Sequence, residues 1–250
     1  MRKWSVAAIL VTVLIAALAA GLLMQSNSRP KAASAKVYRC DIVALGDSLT
    51  QGIGDPKEGG YVGLTEQALK RERLVRQVTL KNYGHMGDTS ADLLKNLQRD
   101  GVRAAIKQAN IVFLTIGGND IAGVLSAHFM NLSVADFKTA QNVYVTNLQQ
   151  IFKTIRGLNN GVFIYFFGLY NPFEDYFGQA NKDFQPILDG WNRASATVAA
   201  QQQKTFFLPT AALFKGKGDE LLYDDHFHPN AKGYRLMSQL LVKAINQQMR

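Results

Sequence analysis

Cysteine is almost missing from this chain of 250 residues, which contains only Cys40. A single cysteine cannot form an internal disulfide, and it excludes a disulfide scaffold and any multi-cysteine zinc or iron–sulfur site. Proline is also scarce, with 6 residues, and charged residues make up only 19% of the chain against 47% hydrophobic residues. This composition excludes a disordered chain, a collagen-like repeat and a coiled coil, and it predicts one substantial globular domain.

Acidic residues are absent from the first 40 positions, which hold six lysines and arginines. The other 210 residues therefore carry only +3 of the net charge of +9. A nucleic-acid-binding domain would concentrate its basic residues on the folded part of the chain. We therefore expect no nucleic acid among the partners.

Residues 4–24 form a run of 21 residues without a charge. At ~1.5 Å per residue, a helix of this length spans the ~30 Å hydrocarbon core of a bilayer. We interpret residues 1–24 as a signal anchor in the cytoplasmic membrane, residues 25–36 as a polar linker, and residues 37–250 as an extracytoplasmic domain. The alternative is a cleaved signal peptide and a secreted protein, because an Ala-x-Ala pattern occurs at residues 33–35.

Short apolar runs alternate with helical patterns after the linker. The runs Ile42–Leu45, Ile111–Ile116 and Val162–Phe167 are typical of strands buried on both faces of a parallel sheet. Val78–Leu80 and Phe206–Leu208 are weaker candidates for two more strands. Five strands with amphipathic helices between them predict a doubly wound α/β fold, in which ligands bind beyond the carboxyl ends of the strands.

Four polar clusters follow predicted strands or precede predicted helices. They are Gly46–Thr50, Asn82–Ser90, Gly117–Asp120 and Asp225–Pro229. Each cluster alone is also typical of an ordinary turn or helix cap. Their common placement at one edge of the predicted sheet indicates a single site.

These clusters contain the residue types that acyl transfer requires. Ser48 is a candidate nucleophile, His228 a candidate base, and Asp225 a candidate partner for the other ring nitrogen of His228. The backbone N–H groups of Ser48 and Gly87 and the side-chain amide of Asn119 are candidate donors to an oxyanion. A metal site built from the neighbouring Asp and His residues is disfavoured, because so many adjacent side chains cannot converge on one ion.

From about residue 38 to residue 250, the four clusters resemble the motif blocks of the SGNH, or GDSL-type, esterase and lipase family. The resemblance implies a three-layer α/β/α, flavodoxin-like fold with a parallel five-stranded sheet in the order 2-1-3-4-5. It also implies broad activity on acyl esters and no cofactor. One departure is Met86, which stands where the family often has a small residue. The site residues it implies are Ser48 as nucleophile, Asp225 and His228 as its partners, and Ser48, Gly87 (rather than Gly84) and Asn119 as the oxyanion hole.

Two apolar segments, 124–132 and 170–177, fall in predicted loops at the site end of the sheet. We expect them to form walls of a substrate groove, with ordinary core packing as the alternative. The sequence does not choose among lipid, lysophospholipid, thioester and acetylated glycan substrates. A membrane-tethered binding module of the same fold, without catalysis, is the alternative function. The residues expected to line the groove are Phe129, Met130, Phe173, Tyr176 and Phe177.

Overall fold

The fold is seen in a computed structural model that describes residues 37–127, 131, 133–174 and 178–249. Five parallel strands form one sheet in the order β2-β1-β3-β4-β5, which confirms the order implied by the family resemblance. The strands are β1 (Tyr38–Gly46), β2 (Val75–Gly84), β3 (Ile111–Thr115), β4 (Phe163–Phe167) and β5 (Thr205–Leu208).

Helices connect the strands and cover both faces of the sheet. Those from β1 to β3 are α1 (Ser48–Gln51), α2 (Gly60–Arg71), α3 (Ser90–Asn96) and α4 (Asp100–Gln108). Those from β3 onwards are α5 (Gly118–Ala127), α6 (Val134–Leu158), α7 (Asn181–Ala200), α8 (Ala211–Phe214), α9 (Gly218–Leu221) and α10 (Ala231–Gln248).

Two apolar cores lie on opposite faces of the sheet. One contains Val43 and Leu45 of β1 and is covered by α3 to α7, and the other contains Ile42 and Ala44 and is covered by α2 and α8 to α10. Successive residues of a strand point to opposite faces, so a strand between two helical layers must be apolar on both. This is why the three continuous apolar runs of the sequence are strands.

The edge strand β2 is longer than the sequence indicated. Only Val78–Leu80 stood out, whereas the strand runs over Val75–Gly84 and pairs with β1 along its whole length. Exposed residues such as Arg76, Gln77 and Lys81 interrupt its apolar pattern. An edge strand that is partly open to solvent does not produce a continuous apolar run.

Several sequence predictions fall on residues that the structure does not describe. The predicted signal anchor (1–24) and linker (25–36) lie outside the described residues, so both stay predictions. The same holds for Phe129, Met130, Tyr176 and Phe177 of the predicted groove. Within residues 37–249, none of the helices described is long and apolar enough to cross a membrane.

The last residue of β1, Gly46, has a backbone that only glycine tolerates well. Its φ is +140°, and a Cβ added there would lie 2.0 Å from the carbonyl oxygen of Thr115 on the neighbouring strand. That contact is far shorter than any real carbon–oxygen approach. The close approach of β1 and β3 at their carboxyl ends therefore depends on the missing side chain.

We expect Gly46→Ala to lower the free energy of unfolding by about 1–3 kcal/mol, because the backbone is strained and the strands must separate. Gly101→Ala is the matched control. Gly101 lies in α4 with nothing within 4 Å of an added Cβ, so this change should raise stability by about 0.4–1 kcal/mol. Urea unfolding followed by circular dichroism measures both. Equal stability of Gly46→Ala and the unchanged protein would contradict the prediction.

Candidate active site

The turn between β1 and α1 places Ser48 at the carboxyl end of the sheet. Asp47 is the N-cap of α1, and its carboxylate accepts hydrogen bonds from the Leu49 amide at 3.1 Å and from Thr115 Oγ1 at 2.7 Å. Ser48 is the first residue of the helix and is only 3% exposed. The serine is therefore fixed between its own helix and the neighbouring strand.

A buried network of hydroxyl groups supports this turn from below. Thr50 Oγ1 lies 2.7 Å from Tyr61 OH and 2.7 Å from Thr115 Oγ1, and it donates to the Leu45 carbonyl at 3.2 Å. Burial raises the pKa of Asp47, while its hydrogen bonds from Thr115 and Leu49 act in the opposite direction. Burial of the ionised Asp47 side chain therefore costs desolvation free energy, which its hydrogen bonds offset in part.

Three side chains predicted to act together are joined by hydrogen bonds. His228 Nε2 lies 2.8 Å from Ser48 Oγ, and His228 Nδ1 lies 2.6 Å from Asp225 Oδ2. The serine and the histidine are 180 positions apart in the sequence. The order Asp–His–Ser gives the serine hydroxyl a base whose second ring nitrogen is held by a carboxylate.

The loop before α10 places the side chains of Asp225 and His228 next to each other. His226 between them has a left-handed backbone with φ +53°, which turns the chain. The backbone amide of Tyr223 donates to the His228 carbonyl at 2.8 Å, and Tyr170 OH donates to the Phe227 carbonyl at 2.6 Å. The loop is thus tied both to itself and to the segment that follows β4.

The electrostatic setting favours an ionised Asp225. Burial acts to raise the pKa of Asp225, but hydrogen bonds from the His228 ring and from the amides of His228 and Phe227 outweigh burial and lower the pKa below its usual range. The group is thus a carboxylate at neutral pH, and it can hold the proton of His228 Nδ1 and stabilise a charged imidazole ring.

Candidate oxyanion donors come from three different segments. Asn119 Nδ2 donates one hydrogen to the Asp88 carbonyl at 2.9 Å, which leaves its second hydrogen available. The backbone N–H groups of Ser48 and Gly87 have no acceptor among the described residues. Gly87 has φ +88° and open space around an added Cβ, whereas Gly84 is packed against the backbone of Gln51. Gly87 therefore has open space beside its Cα, whereas Gly84 does not.

The turn that carries Gly87 is held by a side chain from α1. Gln51 Oε1 accepts a hydrogen bond from the Met86 amide at 2.6 Å. The Met86 side chain itself is 58% exposed. Its size therefore does not disturb the backbone of the turn, and it adds an apolar rim beside Gly87.

A narrow apolar cleft, partly open to solvent, begins at Ser48 and Asn119. Phe173, predicted to line a groove, is one of its walls, and its ring packs against Phe184 of α7 and Phe227.

The prediction of a loop from residue 124 is wrong, because α5 extends to Ala127. Pro172 lies within the predicted groove segment 170–177. The sequence analysis missed several further walls, and those in α5 and α7 have an apolar spacing that also fits ordinary packing on the sheet. The missed wall residues are Ile121, Ala122, Leu169, Phe184, Leu188 and Phe227.

Other residues of the polar cluster Asn82–Ser90 have ordinary local partners. His85 Nδ1 lies 2.8 Å from Asp88 Oδ1, and Thr89 caps α3 in a reciprocal capping box with Asp92. In the part of the chain that the structure describes, no three His, Cys, Asp or Glu side chains are grouped so that they could hold a metal ion.

A known family and known proteins match most of this chain. Residues 44–236 match the model of the GDSL-like lipase/acylhydrolase family. The chain is 32% identical to the protein YpmR of Bacillus subtilis (strain 168), over 99% of this chain and 97% of that protein. It is 28% identical to the spore germination lipase LipC of Bacillus licheniformis, over 79% of this chain and 92% of that one.

A solved structure supports the same fold. The lipase Lip_vut3 from a goat rumen metagenome superposes with a TM-score of 0.70 at 24% identity, covering 83% of this chain and 97% of that one. The family match covers most of the chain and includes the segments that carry Ser48, Gly87, Asn119, Asp225 and His228. The chain therefore belongs to the GDSL-like lipase/acylhydrolase family.

Proposed function

We propose that the protein is a serine hydrolase that cleaves carboxylic esters through a covalent acyl-enzyme. The observation that carries the proposal is the unbroken hydrogen-bond chain from Asp225 through His228 to Ser48, which ends at the mouth of an apolar cleft. A binding module needs none of these three groups in this alignment. A hydrolase needs all of them.

In the acylation step, Ser48 Oγ attacks the carbonyl carbon of the ester while His228 Nε2 takes the hydroxyl proton. The carbonyl electrons move onto oxygen and form a tetrahedral intermediate. When this intermediate collapses, the bond to the alcohol oxygen breaks, and His228 gives its proton to the leaving alcohol. Ser48 is then joined to the acyl group, and His228 is neutral again.

In the deacylation step, water takes the place of the alcohol. His228 Nε2 removes a proton from the water, which attacks the acyl carbon. Collapse of the second tetrahedral intermediate releases the carboxylic acid and returns the proton to Ser48 Oγ. Asp225 holds the ring orientation in both steps and stabilises the positive charge of His228 without taking up a proton itself.

The negative oxygen of each intermediate would be bound by the N–H groups of Ser48 and Gly87 and by the second hydrogen of Asn119 Nδ2. These donors belong to a helix start, a turn and the first turn of another helix, so they are positioned before the substrate arrives. Preorganised donors of this kind stabilise developing charge, and removal of one typically costs about 10²–10³-fold in kcat.

The apolar lining of the cleft favours a substrate whose acyl chain is longer than acetyl. It runs from Ser48 between α5 and α7, and its walls are mostly Leu, Ile, Phe and Pro side chains. Each methylene that such walls remove from water contributes about 0.8 kcal/mol. The lining extends from Ser48 to Leu188 of α7, so a single acetyl methyl group would contact only part of it.

The first test concerns the three hydrogen-bonded residues. We expect Ser48→Ala to lower the turnover of a nitrophenyl ester by several orders of magnitude, because the members of such a triad act as a unit (~10⁶ for the nucleophile of one well-measured protease). Asp225→Asn should cost about 10⁴-fold, because it favours the wrong tautomer of His228. The matched control, Asp224→Asn, changes the exposed neighbouring carboxylate and should leave turnover within about twofold. Near-normal turnover of Ser48→Ala would favour the binding-module alternative.

The second test concerns the acyl group. In a series of nitrophenyl esters from acetate to decanoate, we expect kcat/KM to rise by about threefold to fourfold per methylene until the cleft is filled. Leu188→Trp narrows the cleft and should lower the activity on the long esters while leaving acetate nearly unchanged. A maximum at acetate in the unchanged protein would instead favour acetylated substrates.

For the place of action, we propose that residues 4–24 anchor the protein in the cytoplasmic membrane with the hydrolase domain outside. The support is the length of the uncharged run and the polar linker after it. We expect the full chain to stay with membranes after a high-salt wash, and its domain to be cleaved by protease added to wall-stripped cells. Protection from the protease would contradict the outward orientation. A mature N-terminus near Lys36 would replace the anchor with a cleaved signal peptide.

A further inference from the structure

Asp120 makes a contact across the candidate oxyanion hole that no step of the reaction uses. It follows Asn119 in the first turn of α5, and its carboxylate accepts hydrogen bonds from Ser90 Oγ at 2.5 Å and from the Ser90 amide at 2.9 Å. Ser90 is fully buried and begins α3, three residues after Gly87. The carboxylate thus joins the segment of one oxyanion donor to the segment of the other.

A second hydrogen bond runs in parallel with this contact. Asn119 Nδ2 donates to the carbonyl of Asp88, which lies between Gly87 and Ser90. From the opposite side, Asn147 Nδ2 of α6 donates to Ser90 Oγ at 2.9 Å, which directs the Ser90 hydrogen towards Asp120. Two successive residues of α5 therefore hold two positions of the turn after Gly87.

We propose that Asp120 is a positioning residue that fixes the distance between the Gly87 N–H and Asn119 Nδ2 through its two hydrogen bonds to Ser90. The proposal rests on the hydrolase function argued above. In this role Asp120 touches neither the substrate nor the reacting atoms. Its effect on the reaction passes through the two donors that bind the negative oxygen of the intermediate.

The energetic cost of Asp120 argues against a role in stability alone. Burial raises the pKa of Asp120, although its hydrogen bonds from Ser90 act to lower it. Among the described residues, neither a lysine nor an arginine forms an ion pair with it. A half-buried carboxylate without a cation has a desolvation cost that its hydrogen bonds must offset, which favours a role other than stability.

The start of α3 has a cap besides Asp120. The Thr89 side chain and Asp92 already form a reciprocal capping box there, with Thr89 Oγ1 donating to Asp92 Oδ2 at 2.6 Å. Asp92 therefore provides a matched control. It is a second carboxylate at the same helix start, but none of its hydrogen bonds reaches Asn119.

The experiment compares kcat and KM of the full chain on a nitrophenyl ester. We expect Asp120→Ala to lower kcat by about 10–100-fold with KM changed less than about twofold, because displaced donors weaken the transition state more than substrate binding. Asp120→Asn keeps one carbonyl acceptor for Ser90 and should recover part of kcat. Asp92→Ala should lower the melting temperature but keep kcat within about twofold.

A double-mutant cycle separates positioning from a general loss of structure. If Asp120 acts through the oxyanion hole, Asn119→Ala and Asp120→Ala together should lower kcat by less than the product of the two single losses. Additive losses, or an Asp120→Ala enzyme with unchanged kcat, would overturn the proposal. Ser90→Ala should also lower kcat without raising KM, and this variant decides the case if Asp120→Ala does not fold.

Different experimental results would disprove the positioning role and the hydrolase function. A protein that needs Ser48 for turnover but tolerates Asp120→Ala would disprove only the positioning role. Unimpaired turnover of Ser48→Ala would disprove the function on which it rests.

Discussion

The carboxyl ends of β1 and β3 meet more closely than a side chain on Gly46 would permit, and the nucleophile turn is built on that contact. The Thr115 carbonyl occupies the space of the missing Cβ and accepts the Asp47 amide at 3.3 Å, while Thr115 Oγ1 donates to the Asp47 carboxylate. Thr50 of α1 completes this network through the contact of its Oγ1 with Thr115 Oγ1. Because these groups are buried, each must keep its partner, and one arrangement of the turn is favoured over the others. The position of Ser48 follows from that arrangement.

The topology explains why distant parts of the sequence reach this turn. The chain leaves β1 towards β2 on one side and later returns to β3 on the other, so the connecting helices begin on opposite faces of the sheet. A crevice forms where the direction reverses, between β1 and β3. Ser48 follows β1, Asn119 follows β3, and the loop before α10 brings His228 across the sheet to the same place. Parallel strands place all these segments at one edge, and antiparallel ones would have divided them between two.

Much of this architecture could be predicted from the sequence. The strands buried on both faces are continuous apolar runs, and residues 42–45, for example, lie within β1 as predicted. The polar clusters at the strand ends could be found as well, because polar residues that directly follow a buried strand lie at the edge of the sheet. The strand order came from the family resemblance, since apolar periodicity does not say which strands are neighbours. The choice of Gly87 over Gly84 stays a prediction, and it is supported by the open space at Gly87 and the packing of Gly84 against Gln51.

Other features depend on contacts between residues far apart in the chain, and no local pattern reveals them. Phe184 and Leu188 have the spacing of a helix that packs on a sheet, and only the tertiary structure shows that one stretch of α7 faces an open cleft. The contact from Asp120 to Ser90 spans 30 positions and joins two helix starts that each look like an ordinary cap.

Burial raises the pKa of Asp47 and of Asp120, so ionisation of each carboxyl group at neutral pH costs free energy of folding. Each lies next in sequence to a residue of the candidate site, Ser48 and Asn119. An apolar residue would avoid the desolvation cost, but it could not accept the hydrogen bonds that hold these two segments. One buried and one half-buried carboxylate beside the same site therefore indicate that stability was exchanged for a fixed geometry. This exchange is what a site needs when its donors must be in place before the negative charge develops.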